Sequence, residues 1–173
     1  MANKRIAAGN LFLGTFDQKV ALTNTLHATR FGVPFPVRPV AFKGWYSYQP
    51  GKTYQDVFGN AVAGKADHGS IYAVLYRNHD ALGNEIVLYG DNVKTSQQVV
   101  AIADLGDVGQ TNGWRPFEVP FLYRQEVDQE TLQNRGYSLA IVFSSSNEGD
   151  KFEGAVGSTL LIDDVSIISQ KQE

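Results

Sequence analysis

The sequence predicts an all-β fold, a β-sandwich of two antiparallel sheets packed face to face. Three observations carry this. Apolar residues alternate with polar ones in segment after segment, turn signals separate the segments, and helical periodicity is almost absent. Strands are expected near Ile6–Phe16, Val37–Tyr48, Gly69–Arg77, Gln97–Asp104, Trp114–Tyr123, Tyr137–Ser145 and Ser158–Ile168, with a weaker one at Val20–Ala28. Turns fall at Pro50-Gly51, Gly83-Asn84, Asp91-Asn92 and Asn112-Gly113. One short helix is expected from Asp128, a residue able to cap it, to Gln133. No linker or internal repeat divides the chain, so one domain is expected with its core spanning residues 6–168.

Composition narrows the function classes. The 173 residues are 43% hydrophobic and 19% charged, enough to build a core without staples. Cysteine is absent, which removes disulfides, thiolate chemistry and zinc–cysteine sites. The net charge is −3 and no basic stripe occurs, so the footprint of a nucleic-acid binder is lacking. No apolar run approaches the roughly 20 residues of a membrane helix. Met1–Arg5 is polar and shows no signal peptide. The chain is expected either to be cytosolic or to be the mature part of an exported protein.

Side-chain parity assigns faces to the strands. In Val37–Tyr48, Val40, Phe42, Gly44, Tyr46 and Tyr48 form the apolar side, which turns Lys43, Trp45 and Ser47 outward. In Trp114–Tyr123, Phe117, Val119, Phe121 and Tyr123 face inward. Pro116 and Pro120 cannot both sit mid-ladder, so this strand is expected at an edge or a bulge.

An outward Trp45 is a flat apolar plate with a polar rim, the surface on which the C–H face of a sugar ring stacks. Lys43 and Ser47 stand beside it as hydrogen-bonding groups. Trp114 opens another strand, and Tyr72 and Tyr76 share one face of Gly69–Arg77, so these rings could widen the platform. The ordinary alternative is that these aromatics belong to the core, where most large rings of a sandwich lie.

Asp163-Asp164 interrupts the apolar run Leu161–Ile167. Parity requires one carboxylate to face the core, and Asp163 shares its phase with Leu161 and Val165. Such a group needs backbone N–H donors, an arginine or a hard cation, and calcium readily takes one carboxylate together with loop carbonyls. Glycoside hydrolysis would need two acids across a cleft. Glu118, Glu126, Asp104, Asp107, Glu148, Asp150 and Glu153 are available, but nothing in the sequence pairs any two. The last three lie in a glycine-rich loop, where solvated charge is the ordinary explanation. His27, His68 and His79 are scattered, and Gly-x-Ser-x-Gly does not occur.

Several phrases together resemble a known family: Ala8-Gly9-Asn10-Leu11-Phe12, the run Arg38–Tyr46, Tyr48-Gln49-Pro50-Gly51, Ser70–Tyr76, Trp114–Phe121, Tyr137–Ser146 and Phe152–Leu160. The chain resembles the bacterial putative carbohydrate metabolism domain from about Ala8 to Ile168. That resemblance implies a jelly-roll sandwich, usually the C-terminal module of a longer exported surface protein. On that reading this chain is a mature fragment, found outside the cell or on its outer surface. The ending Leu161–Val165 also looks like the last strand of jelly-roll carbohydrate-binding modules. There the first aspartate commonly binds a structural calcium with the N-terminal segment, which carries over to Asp163 and, within Gly14-Thr15-Phe16, to Thr15.

The expected function is a non-catalytic carbohydrate-binding module that stacks a poly- or oligosaccharide on an exposed sheet face. The expected contacts are Trp45, Lys43, Ser47, Tyr72, Tyr76 and Trp114. A glycoside-active enzyme and a structural or adhesive surface module are the alternatives.

Overall fold

The computed structural model describes residues 6–170, so the polar Met1–Arg5 stretch lies outside the described residues. The first expected strand divides into β1 (Asn10–Phe12) and β2 (Gly14–Phe16). After helix α1 (Gln18–Thr23) come β3 (Thr29–Phe31), β4 (Val33–Pro34), the long β5 (Pro39–Gln49) and β6 (Tyr54–Gln55). Next are β7 (Ser70–Arg77), β8 (Val99–Asp104), β9 (Arg115–Pro120) and β10 (Leu122–Tyr123). Helix α2 (Gln129–Gln133) precedes β11 (Tyr137–Ser144), β12 (Gly154–Ala155) and β13 (Thr159–Ser169).

Two antiparallel sheets make the sandwich. The larger runs β1-β11-β7-β8-β10, with β4 on the same edge of β11 as β1; the smaller runs β13-β5-β9. Short β2-β3 and β6-β12 pairs lie outside them. The chain passes between the layers at β4 to β5, β5 to β7, β8 to β9, β9 to β10 and β11 to β13. Phe42, Tyr46, Tyr48 and Phe117 meet Ile71, Leu75, Leu139 and Phe143 in the space between the sheets. The opposite face of the larger sheet carries a second cluster, in which Tyr72, Val74, Tyr76 and Val142 are covered by Phe31, Leu88 and Val93. Strand β7 is therefore buried on both faces, which its unbroken apolar run Ile71–Tyr76 reflects.

The edge position expected for the proline-bearing strand holds. β9 is the outer strand of the smaller sheet, and after Pro120 the chain crosses to pair with β8 as β10. The capped helix also holds, with the Asp128 carboxylate accepting from the Thr131 N–H at 2.7 Å.

Three expectations are corrected. Val20–Ala28 is not a strand: it holds α1 and a 3₁₀ turn at Thr25–His27. The Asp17 carboxylate caps α1 by accepting from the N–H groups of Lys19 and Val20, a cap that alternation alone hides. Val40 is 47% exposed, because the β13 register steps from Ala41 to Pro39 and leaves it out of phase.

The third correction concerns Asp163. It is exposed, as is Asp164, and neither faces the core. Between the pairs Asp163–Trp45 and Ser166–Lys43, β13 spends three steps against two on β5. That bulge lets Ile162 and Ile167 both face inward without burying a carboxylate. Asp164 takes the left-handed φ of 48° there and donates its N–H to the Asp163 carboxylate at 2.8 Å.

Candidate functional site

A recess lies on the outer face of the larger sheet, and cross-strand register builds its floor. Phe12 pairs with Val142, which pairs with Tyr72, which pairs with Asp104. One step along, Asn10 pairs with Ser144, which pairs with Ser70. Residues two apart share a face, so one aromatic row and one polar row lie side by side across three strands. Phe16, Thr25, Leu26 and Thr29 form one wall, the turn Gly90–Thr95 another, and Asn147, Gly149, Asp150 and Phe152 a third. The groove encloses about 610 Å³, within the range of sites that take small ligands.

Each wall is fastened. The Gly90 N–H donates to the Leu26 carbonyl at 2.9 Å, and the His27 ring stacks on Tyr89 with centroids 4.4 Å apart. His27 Nε2 lies 3.1 Å from the Asp91 carboxylate. Phe152 is held in the left-handed region at φ 60°, a strained state for a bulky residue and one concentrated at functional sites. Behind it, Glu148 accepts from the Tyr54 hydroxyl and from Lys65, and pairs with Lys151 at 3.1 Å. The hydrogen bond from Lys65, then that from Tyr54, holds the Glu148 carboxyl down to about 2. Burial, then the bond to Glu148, pushes the Tyr54 phenol up to about 12.

Below this loop lies the carboxylate that the sequence reading sought at position 163. Asp67 is 1% exposed. It accepts from the hydroxyls of Ser146 at 2.6 Å and Ser158 at 2.7 Å, and from the N–H groups of Ala155 at 2.8 Å and His68 at 3.0 Å. Those donors satisfy the buried charge with no cation.

On the floor, Tyr72 is 7% exposed, yet its hydroxyl bonds to no described residue and is left to the groove. Lys94 Nζ lies 4.6 Å above the Tyr72 ring centroid and 3.0 Å from the Asp104 carboxylate. Burial first, then the charges of Asp104 and Asp150, raise the Tyr72 phenol above its ordinary range.

The six expected contacts do not come together. Trp45, Lys43 and Trp114 are exposed on the outer face of the smaller sheet, where Trp45 pairs with Pro116 on one side and Asp163 on the other. Trp114 is 49% exposed one residue ahead of β9, in phase with Pro116 and Glu118. Ser47 is half-buried, with its hydroxyl 3.3 Å from that of Thr111. Tyr72 and Tyr76 belong to the other sheet and cannot widen a platform around Trp45. Tyr76 is closed off altogether, with its hydroxyl donating to the Phe31 carbonyl at 2.7 Å.

The expected calcium pair does not meet either. Thr15 lies on β2, which pairs only with β3, whereas Asp163 lies on β13 beside β5. Among the described residues no group of three or more His, Asp or Glu side chains could hold a metal ion. The buried carboxylate that raised calcium is not at position 163, so that argument falls away.

Phe12, Phe16, Asn10, Asp91, Lys94 and Asn147 were missed, because the groove joins three stretches far apart in sequence. Two signals lay near it: Tyr72, expected to widen a platform around Trp45, and the glycine-rich acidic loop, read as solvated charge.

A family described as the putative carbohydrate metabolism domain matches residues 1–168. Two solved structures are similar over nearly the whole chain. The first, from Bacteroides thetaiotaomicron and described as a putative glycoside hydrolase, is 43% identical with a TM-score of 0.89, covering 96% of this chain and 48% of its own. The second, from Bacteroides vulgatus under the same description, is 36% identical with a TM-score of 0.85, covering 95% of this chain and 65% of its own. The chain thus spans about half to two thirds of the length of these neighbours. No curated protein matches the chain.

Proposed function

The chain belongs to the putative carbohydrate metabolism domain family, and we propose that its part in carbohydrate metabolism is to bind an oligo- or polysaccharide strand in the groove above Tyr72. The observation that carries this reading is Tyr72, a residue 7% exposed whose hydroxyl bonds to no described residue and opens to the groove, on a floor that also carries Phe12 and the Asn10-Ser144-Ser70 row. Sugars need both elements: flat apolar surface for their C–H faces and fixed polar groups for their hydroxyls. Phe16, 54% exposed on the wall, adds a second ring to the entrance.

The reading is of a binding module without hydrolysis. A glycosidase acid needs a raised pKa. Glu148, the best-partnered acid near the groove, is held low by Lys65 and Tyr54. Asp91 is engaged by His27. The names of the solved neighbours keep hydrolysis as the competing outcome.

A second reading rests on Trp45 and Trp114, 41% and 49% exposed on the opposite sheet. With Lys43 and Glu118 paired between strands beside them, they offer a flat shelf for the surface of an insoluble polysaccharide. Either surface suits a module of a longer exported protein, since polysaccharides too large to cross a membrane are met outside the cell.

Affinity electrophoresis over a panel of polysaccharides, with reducing-end assays alongside, tests these readings. Retention by a glycan, weakened about tenfold by Phe16→Ala or Tyr72→Phe, supports the groove. Lost adsorption to insoluble glycan in Trp45→Ala/Trp114→Ala supports the shelf. Release of reducing ends would replace binding with hydrolysis, and retention on no glycan would end both binding readings.

A further inference from the structure

The charges around the groove are unevenly placed. Lys94 is the only lysine or arginine among its lining residues, and Asp104 already takes that charge at 3.0 Å. Asp91 and Asp150 line the groove as well. Asp91 is engaged by the His27 ring, whose Nε2 lies 3.1 Å from its carboxylate. Asp150 makes no ion pair with a described residue, and the neighbouring Lys151 is taken by Glu148 at 3.1 Å.

Asp104 and Asp91 are engaged by Lys94 and the His27 ring, which leaves Asp150 as the unpaired charge lining the groove. Burial first, then the charges of Asp104 and Asp150, disfavour the ionised Tyr72 phenol. Tyr72 is independent ground for a ligand here: the residue is 7% exposed, and its hydroxyl bonds to no described residue and opens to the groove.

We infer that the groove is selective by charge: it accepts uncharged glycan chains and rejects those carrying carboxylate or sulfate groups, with Asp150 as the principal rejecting group. The inference rests on the groove being the glycan site and adds the class of glycan. An unpaired charge facing a site discriminates by repelling the wrong ligand rather than by attracting the right one. Beside a half-enclosed sheet face that repulsion is screened less than in open water. A uronate or sulfate on the floor would meet Asp150 with no unpaired cation among the groove's lining residues to answer it.

The test uses one neutral polysaccharide that the protein retains, the same polymer partly oxidised to the C6 carboxylate, and the oxidised polymer after methyl esterification. Affinity electrophoresis of the whole chain at low and high salt reads the retention ratio. The expected result is a loss of about tenfold or more on oxidation, recovery on esterification, and a smaller gap at high salt. Asp150→Asn should narrow the ratio several-fold. Equal retention of the neutral and oxidised polymers overturns the charge selectivity and leaves glycan binding standing. An unchanged ratio in Asp150→Asn removes Asp150 from the role. Retention of none of the polymers overturns both this inference and the reading beneath it.

Discussion

The hydroxyl of Ser146 donates to the carboxylate of Asp67 at 2.6 Å, and that bond ties the root of the groove's acidic wall to the segment ahead of β7. Three more donors converge on the same carboxylate from His68, Ala155 and Ser158. The wall is thus positioned by a buried charge that never reaches the groove.

Asp67→Ala should therefore destabilise the fold without touching a ligand. It strands buried donors, a loss of about 3 kcal/mol, which for a chain of this size lowers Tm by roughly 6–12 °C. Thermal unfolding checks this. A Tm within a degree of the parent would mean the wall is held by other contacts.

Acid and alkali should each release the outer latch. Glu148 is held at about 2 in the fold, below its ordinary 4.5, so its contribution is fully present above pH 4.5 and is lost as pH falls through 2. Tyr54 is raised from 10.0 to about 12, so its share is intact below pH 10 and is lost as pH rises through 12. In urea titrations from pH 2 to 7, the stability gap between the parent and Glu148→Gln should close towards pH 2. A gap constant across that range would show that Glu148 titrates normally.

Two tyrosines on one strand face should answer the same deletion in opposite ways. Tyr76→Phe leaves the buried Phe31 carbonyl without its donor and should cost about 1–2 kcal/mol. Tyr72→Phe removes a hydroxyl that bonds to no described residue, and stability should hold within about 0.5 kcal/mol. Parallel unfolding and glycan-retention measurements separate the roles: stability should fall only for Tyr76→Phe, and retention mainly for Tyr72→Phe. A fall of equal size in stability for both would assign Tyr72 to the core.

Gly154→Ala and Gly83→Ala should differ by severalfold in cost. Both glycines have positive φ, 151° and 82°. A Cβ at Gly83 meets nothing within 4 Å, so only backbone strain of about 1 kcal/mol remains. At Gly154 a Cβ would stand 2.3 Å from the Ser146 hydroxyl and 3.0 Å from the Asp67 carboxylate, which breaks the buried network. Equal Tm losses in the two variants would contradict the packing around Asp67.

Much of the sandwich was legible in the sequence. Alternation placed every long strand to within a few residues, the two prolines put β9 at an edge, and parity set Trp45 outward. Asp128 announced its helix, while Asp17 announced one that was read as a strand. Parity failed at Val40 and Asp163 for one reason. A bulge changes the count between two strands, and period two carries no mark of it.

Local pattern determined which segments are strands and which of their faces are apolar, because a strand's side chains alternate whatever it pairs with. Which strands became neighbours was decided only by tertiary structure. The pairing of β1 with β11 aligned Phe12 with Val142 and Tyr72, and the fold of three distant segments closed walls around them. Asp67 is the plainest case: its four donors come from positions 68 to 158, and no spacing along the chain foretells that they converge.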